Sequence, residues 1–227
     1  MSIPANCPSA SQQRLLILAR SFKHGGWCVA GKIAHGASRG GWVRPVGANP
    51  GMGLSTAGIV LRACGRIAAP LDIADLPLGA HQPYLHQSEN VCVADGAWQL
   101  AEGNGSGLAL DLLDHPATLW GSSPWGANDR LPADAALEQP GSLLLVRVAG
   151  LRLDCRVYPW GKKLRGRFAY RGSHYDLAVT DPGASALIPP GVSGIVLPDA
   201  LLTLSLGLPY DGFCFKLIAA IMPLENQ

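Results

Sequence analysis

The chain has 227 residues, of which 48% are hydrophobic and 15% are charged, and its formal net charge is +2. This composition excludes an intrinsically disordered chain, which combines low hydrophobicity with high net charge, and the length suits one large domain or two small ones. The 28 glycines and 18 prolines are scattered without a period, which excludes collagen and indicates short elements joined by many turns.

The predicted elements are mostly short strands. Residues 1–13 are small and polar, and they predict a disordered tail. Strands are then predicted, in chain order, at 14–20, 27–33, 41–46, 58–64, 143–148, 151–158, 164–170, 174–180, 201–206 and 213–221. Short helices are predicted at 108–114 and 132–138, and Pro132 suits the first turn of the second helix.

Glycines mark the turns between these strands. Glycine pairs at 25–26 and 40–41 supply turns, Ala149-Gly150 predicts a tight turn between two strands, and 171–173 predicts a hairpin. Regular alternation of strands with helices is absent. The pattern therefore predicts a mostly β fold with minor α, of the barrel or sandwich kind.

No segment of the sequence predicts a membrane span or a secretory signal. The apolar stretch 184–210 contains only one charge, Asp199, but its four prolines are incompatible with one spanning helix. The apolar core at 15–19 is too short for a signal peptide. We therefore expect a cytoplasmic protein with no membrane partner.

Charge is segregated along the chain. Residues 1–71 carry eight Lys or Arg and no acid, whereas residues 72–144 carry ten acids against Arg130 alone. Residues 145–176 are basic again. The two basic segments predict a positive face for a polyanion. In the alternative, acidic and basic segments pair within the folded protein and leave no net field.

Nine short runs of the sequence stand in the order of one known family. They are LARSFKHGGWCVAGK at 18–32, GWVRPV at 41–46, HQSEN at 86–90, TLWG at 118–121, NDR at 128–130, RGRF at 165–168, VTDP at 179–182, LSLG at 204–207 and GFCFKLIAA at 212–220. The set resembles the dual OB-containing domain family over about residues 14–222. Trp27 departs from the family's pattern, which has a basic residue there, so it offers a ring for stacking instead of a phosphate contact.

The resemblance implies two OB-like barrels with short helices in the connections. The first would occupy residues 14–140 and carry an acidic loop and helix insertion, and the second would occupy 141–227. An exchange of strands between the two barrels stays open. The resemblance also implies a bacterial nucleic-acid-binding protein, acting on single-stranded or structured DNA or RNA in a conflict or nucleic-acid-modification system. It brings no catalytic reaction with it.

Aromatic and basic residues of the first segment predict part of a nucleic-acid site, because OB barrels bind single strands with a positive groove and stacking rings. Trp42 and Arg44 share one face of a predicted strand, which places an indole beside a guanidinium. The alternative is a core indole with an arginine at the barrel rim. Lys23 lies in a glycine-bearing turn of the kind that binds anions, or in an ordinary turn.

A basic strand in the second segment predicts the rest of the site. Its cations are Lys162, Lys163, Arg165 and Arg167, and Lys216 in the last predicted strand completes the set. Phosphate binding needs only cations along a path, so these residues are predicted to bind nucleic acid. The alternative is an ordinary solvated strand face.

Two other functions stay open. An enzyme acting on nucleic acid or a nucleotide would have its site near Lys23, Cys28 and Asp181, with a thiol nucleophile. A protein-interaction module would dock a partner through the acidic stretch 72–144. The six cysteines form no CxxC pair and no nucleotide-binding fingerprint is present, so neither a metal nor a cofactor is predicted.

Overall fold

The computed structural model describes residues 11–23, 25–47, 53–121, 128–159 and 161–224. The chain forms two compact units, Met1–Leu112 and Leu113–Gln227. The described residues are mostly β, with twelve strands, two short α-helices and two short 3-10 helices at Ala57–Ile59 and Ala184–Leu187. None of the helices in these residues is long and apolar enough to cross a membrane.

The first unit contains a closed five-stranded barrel. Its elements are β1 (Ser11–Lys23), β2 (Gly26–Ile33), β3 (Trp42–Val46), β4 (Ile73–His81), β5 (Asn90–Val93), β6 (Gln99–Glu102) and α1 (Ser106–Asp111). The sheet order is β1-β2-β3-β5-β4, and pairing of β4 with β1 closes the ring. The β3–β5 pair is parallel, and β6 adds to β4 outside the ring.

The second unit repeats this arrangement. Its elements are β7 (Arg130–Pro132), α2 (Ala133–Leu137), β8 (Leu143–Tyr158), β9 (Gly161–Tyr170), β10 (Ser173–Val179), β11 (Gly194–Leu206) and β12 (Phe213–Pro223). The sheet runs β10-β9-β8-β11-β12, and a parallel β10–β12 pair closes it. Strands β8 to β12 therefore correspond to β1 to β5, and both rings have the Greek-key order of an OB barrel.

The first strand of each ring is long because it serves two neighbours. Strand β1 pairs with β4 through residues 11–16 and with β2 through residues 15–23. Leu15 and Ile17 face the barrel core, whereas Leu16 on the opposite face contacts the position of Gly105 ahead of α1. Both faces of the strand are buried, which explains why its sequence is a continuous apolar run rather than an alternation.

The turn predicted at Ala149-Gly150 is wrong, because β8 is one strand through this position. Ala149 pairs with Asp199 and Leu151 pairs with Leu197, so the register with β11 continues without a break. Pro198 stands opposite Gly150 and has no amide hydrogen to donate to the ladder. Gly150 adopts a φ of +66°, which bends the strand without reversing it.

Other predicted elements are confirmed or displaced. The hairpin at 171–173 is confirmed as a two-residue turn, with φ of +47° at Arg171 and +81° at Gly172. Both predicted helices are present but short, and Pro132 caps α2. The strand predicted at 58–64 is replaced by a 3-10 turn and isolated bridges. Strands β4, β5 and β6 lie in segments where no strand was predicted.

The boundary between the two units lies after Leu112. The limits predicted from the sequence were 14–140 for the first barrel and 141–227 for the second. Asp114 exchanges hydrogen bonds with Leu145, its amide donating to the carbonyl at 2.7 Å and its carboxylate accepting from the amide at 2.7 Å. Strand β7 pairs with β12. Residues after Leu112 thus belong to the second unit. Of the predicted tail, residues 11–13 lie in β1 and residues 1–10 lie outside the described ranges.

Candidate nucleic-acid interface

The β1–β2 hairpin carries an exposed aromatic and basic cluster. Strand β4 pairs only with residues 11–16 of β1, so the hairpin extends beyond it. On this extension Phe22 pairs with Trp27, and their ring centroids lie 5.0 Å apart at an interplanar angle of 68°. The Arg20 guanidinium lies 5.2 Å from the centre of the Trp27 ring. Phe22 is 53% exposed, so two rings and a cation share one accessible face.

Alternation along the two strands places these side chains together. Arg20 and Phe22 are two residues apart on β1 and therefore share a face. A bulge between Ile17 and Ala19 shifts the alternation, so this face follows on from the inward face of Leu15 and Ile17. Their neighbour Val29 on β2 is buried in the barrel core. The cluster thus continues the inward face of the barrel past the end of the core.

A close approach of two glycines fixes the position of Trp27. Its backbone exchanges hydrogen bonds of 2.7 and 2.8 Å with Leu54, and its indole Nε1 donates to Thr56 Oγ1 at 3.0 Å. A Cβ on Gly26 would lie 2.8 Å from the Gly53 backbone. Only glycine at both positions permits this approach, which pre-orders the ring that would stack.

Arg20 is a cation without a carboxylate partner among the described residues. Its Nη1 donates to the Ala68 carbonyl at 2.8 Å, and its Nε is buried with no hydrogen-bond acceptor. A buried guanidinium donor without an acceptor is costly.

Most other arginines of the first unit are neutralised by the acidic segment. The pairs are Arg14–Asp75 at 2.8 Å, Arg39–Asp111 at 3.4 Å, Arg44–Glu89 at 2.9 Å and Arg66–Asp72 at 2.6 Å. The hydrogen bond from Arg14 holds the pKa of Asp75 below its usual value. Charge that is segregated along the sequence is therefore largely cancelled in space, and Arg20 and Arg62 are the arginines of this unit without such a partner within the described ranges.

The predicted pair Trp42 and Arg44 is engaged internally. The Arg44 side chain is 12% exposed and its partner Glu89 is 5% exposed. Trp42 is half-buried, and the amine of Lys32 lies 5.1 Å from the centre of its ring. Lys32 itself is buried and donates to the Leu112 carbonyl at 2.7 Å. These contacts fit the alternative of a rim arginine and a packed indole.

The predicted basic strand carries acids on its neighbouring strands. The Arg165 Nε donates to Asp176 at 2.7 Å and Arg167 pairs with Asp154. Burial raises the pKa of Asp176, but hydrogen bonds from Arg165 and Arg156 outweigh it and hold the pKa below its usual value. The two arginines therefore form a cross-strand ion-pair ladder, not a bare positive face.

Lys162 and Lys163 are exposed at the start of β9. They pair in register with Val157 and Arg156 of β8, next to the β8–β9 turn. Neither amine has a carboxylate within ion-pair distance among the described residues. Because β8 and β9 correspond to β1 and β2, these lysines occupy the hairpin equivalent to the one that carries Phe22.

Lys216, the last of the predicted site residues, is buried in the second unit. The residue is 2% exposed, its amine donates to the Gly121 carbonyl at 2.7 Å, and it lies 5.4 Å from the centre of the Tyr175 ring. Burial lowers the pKa of Lys216 to about 8, against a smaller opposing effect of Asp129. Such an amine is part of the interior of the second unit. The side chain of Lys23 lies outside the described part of the structure.

The residues of the alternative enzyme site have structural contacts. Asp181 belongs to the second unit, and its carboxylate accepts hydrogen bonds from the amides of Gly183 at 2.8 Å and Ile221 at 2.9 Å. Cys28, in the first unit, is a partly buried free thiol. No group of three or more His, Cys, Asp or Glu side chains within the described ranges is arranged to hold a metal.

The sequence matches the model of the dual OB-containing domain family over residues 13–221. The chain belongs to this family. The two OB-type barrels agree with the match, and they confirm the predicted mostly β fold. No curated protein matches the sequence.

Two solved structures are similar to this dual OB protein at low identity. One is described as "Crystal structure of the tetrameric p202 HIN2", with a TM-score of 0.33, 8% identity, and coverage of 95% of this chain and 92% of that chain. The other is described as "Molecular basis for abrogation of activation of pro-inflammatory cytokines", with a TM-score of 0.32, 8% identity, and coverage of 94% and 95%.

Sequence reasoning missed Arg20 and Phe22 as members of the candidate site. Both lie inside the run that resembles the family, yet Arg20 reads as the end of an apolar strand. The available signal was their spacing of two residues, which places a cation and a ring on one strand face beside a glycine turn. Trp27 was noted only as a ring for stacking.

Proposed function

We propose that this dual OB protein binds nucleic acid, single-stranded or structured, through the β1–β2 hairpin and its β8–β9 counterpart. Family membership and the two OB rings support a nucleic-acid-binding role. The observation that carries the proposal is the cluster of Arg20, Phe22 and Trp27. Its exposed Phe22 ring and half-buried Trp27 ring offer stacking surfaces for bases, and its guanidinium lacks a carboxylate partner within the described residues.

The second hairpin contributes cations to the same proposal. Lys162 and Lys163 are exposed at the topologically equivalent position and would neutralise phosphates. Arg165 and Arg167 stay in the proposal only as ion-paired residues, whose partners a phosphate would have to displace. We place the protein in the bacterial cytoplasm, within a conflict or nucleic-acid-modification system, as the family resemblance suggests.

Fluorescence anisotropy with labelled single-stranded DNA, single-stranded RNA and duplexes tests the proposal. Affinity should fall steeply between about 50 and 200 mM salt because bound phosphates release counterions. Phe22→Ala should weaken binding of single strands roughly tenfold, since stacking is worth about 1–3 kcal/mol per base. Tyr84→Ala, which removes another exposed ring of the first unit, is the matched control and should bind as the wild type does.

The lysine pair has its own test. The double substitution Lys162→Ala and Lys163→Ala should reduce the slope of log affinity against log salt by up to about 2. Arg171→Ala removes an exposed cation at the opposite end of β9 and serves as the control. Folded protein that binds none of the probes at low salt would refute the proposed function.

A further inference from the structure

A rigid turn of the second barrel exposes two aromatic rings. Tyr210 and Phe213 flank the β11–β12 turn, and their backbones exchange hydrogen bonds of 2.8 and 3.1 Å. The turn residues Asp211 and Gly212 have φ of +51° and +77°, as a type I′ hairpin requires. The amide of Ala133 also donates to the Gly212 carbonyl at 3.0 Å. Tyr210 is 75% exposed and Phe213 is 38% exposed.

An arginine extends this aromatic surface. Arg130 on the edge strand β7 pairs in register with Phe215 of β12. Its guanidinium lies 5.0 Å from the centre of the Phe213 ring and 5.5 Å from that of Phe215. Leu131 and Cys214, which alternate with these residues, are buried. The outward face of β7 and β12 is therefore a row of rings that already accepts one guanidinium.

The residues around these rings are acidic. Asp211 is exposed at the tip of the turn. Asp134 is also exposed, and it directly follows Ala133, whose amide donates a hydrogen bond to the Gly212 carbonyl. Neither carboxylate has a basic side chain within ion-pair distance among the described residues. Arg130 is the nearby exposed cation, and its carboxylate neighbour Asp129 lies 3.9 Å away. The sign of this charge opposes a phosphate backbone and attracts cations.

We propose that the face formed by Tyr210, Phe213, Arg130, Asp211 and Asp134 docks an arginine-rich segment of a partner protein. A partner's guanidinium would stack on the exposed Tyr210 ring, as Arg130 does on Phe213, because arginine binds aromatic faces through cation–π attraction. Asp211 and Asp134 would pair with its charge. The turn is already ordered, so docking needs little loss of backbone freedom. This face is separate in residues and in charge from the proposed nucleic-acid hairpins.

Titration with a synthetic labelled peptide of alternating arginine and glycine tests the proposal, with a glutamate–glycine peptide as the charge-reversed probe. Wild-type protein should bind the arginine peptide and not the glutamate peptide. Tyr210→Ala should weaken binding about fivefold, the size of one exposed cation–π contact. The double substitution Asp134→Asn and Asp211→Asn should weaken it further and lower its salt dependence, and asparagine keeps the turn because it tolerates a positive φ.

Val196→Ala, which removes another exposed apolar side chain of the second unit, is the matched control and should leave peptide binding unchanged. Peptide binding that survives both the Tyr210 and the aspartate substitutions would overturn the proposal, as would the absence of binding to wild-type protein. A loss of single-strand affinity in Tyr210→Ala would also overturn it and would assign this face to nucleic acid. Because the probes differ, failure here leaves the result for Phe22→Ala intact.

Discussion

The buried amine of Lys216 gives a quantitative test of the second barrel's interior. Burial lowers the pKa of Lys216 from 10.5 to about 8. At pH 7 the amine is protonated in both the folded and the unfolded chain, so the full cost of burying the charge is present. At about 1.4 kcal/mol per pKa unit, this cost is about 3.5 kcal/mol.

Raising the pH should relieve this cost in the wild type. Between about pH 8 and pH 10.5 the folded state loses its proton first, the unfolded state binds more protons, and the free energy of unfolding rises with pH. From pH 7 to pH 10 the group contributes a gain of about 2 kcal/mol. Lys216→Met removes the titrating amine and therefore this gain. Loss of the hydrogen bond to Gly121 adds a difference that does not depend on pH.

Urea unfolding of wild type and Lys216→Met, at several pH values between about 7 and 10, measures the effect. The free-energy difference between the two proteins should shift by about 2 kcal/mol across the range, in favour of the wild type at high pH. Lys162→Met is the matched control, because its amine is exposed and its difference from the wild type should be constant. A constant difference for Lys216→Met as well would refute the reasoning.

Three further substitutions test single contacts, each by denaturant unfolding. Arg44→Leu should destabilise the first unit by about 3 kcal/mol, because it leaves the Glu89 carboxylate buried without its partner, and restoring the ion pair with Lys should recover part of this loss. Gly166→Val should destabilise the second unit by about 1–3 kcal/mol, since a Cβ at this position meets Ile218 and Leu151 in the barrel core. Asp181→Ala should cost about 1–3 kcal/mol through two amides left without an acceptor, and it should leave nucleic-acid affinity unchanged.

The fold was predictable where local chemistry decides it. Glycine turns and the alternation of side chains predicted β2, β3, β9 and β10. The Arg171-Gly172 pair indicated its hairpin, because that turn needs positive φ at both positions. Strand β8 was divided at Ala149-Gly150 because a small residue before glycine also suits a turn. The deciding fact, Pro198 standing opposite Gly150 in β11, concerns a strand 48 residues away in sequence. No local pattern reports such a partner.

The candidate site was predictable only in part, because the sequence shows where the cations are but not which of them are paired with carboxylates in the folded chain. The sequence displays Arg44, Arg165 and Arg167 as cations, but their carboxylate partners come from the turn before β5 in the case of Arg44 and from neighbouring strands in the other two cases. Lys162 and Lys163 lie at a hairpin end, where no acid faces them in the described ranges, and their contact with nucleic acid stays a prediction. Arg20 was overlooked for the converse reason, since its apolar neighbours hide a cation that lacks a carboxylate partner.

Each barrel is built from one continuous segment of the chain, and this affects how the chain folds during its synthesis. All described strands of the first barrel lie before Leu112. The Leu112 carbonyl accepts a hydrogen bond from the amine of Lys32 in this barrel. All described strands of this barrel are therefore present while later residues are still being added, and N-terminal domains generally fold first during translation. The second barrel closes through the parallel pairing of β10 with β12, its last strand. A nascent chain thus passes through a stage with one finished barrel and one open sheet, whose unpaired edges attract other strands.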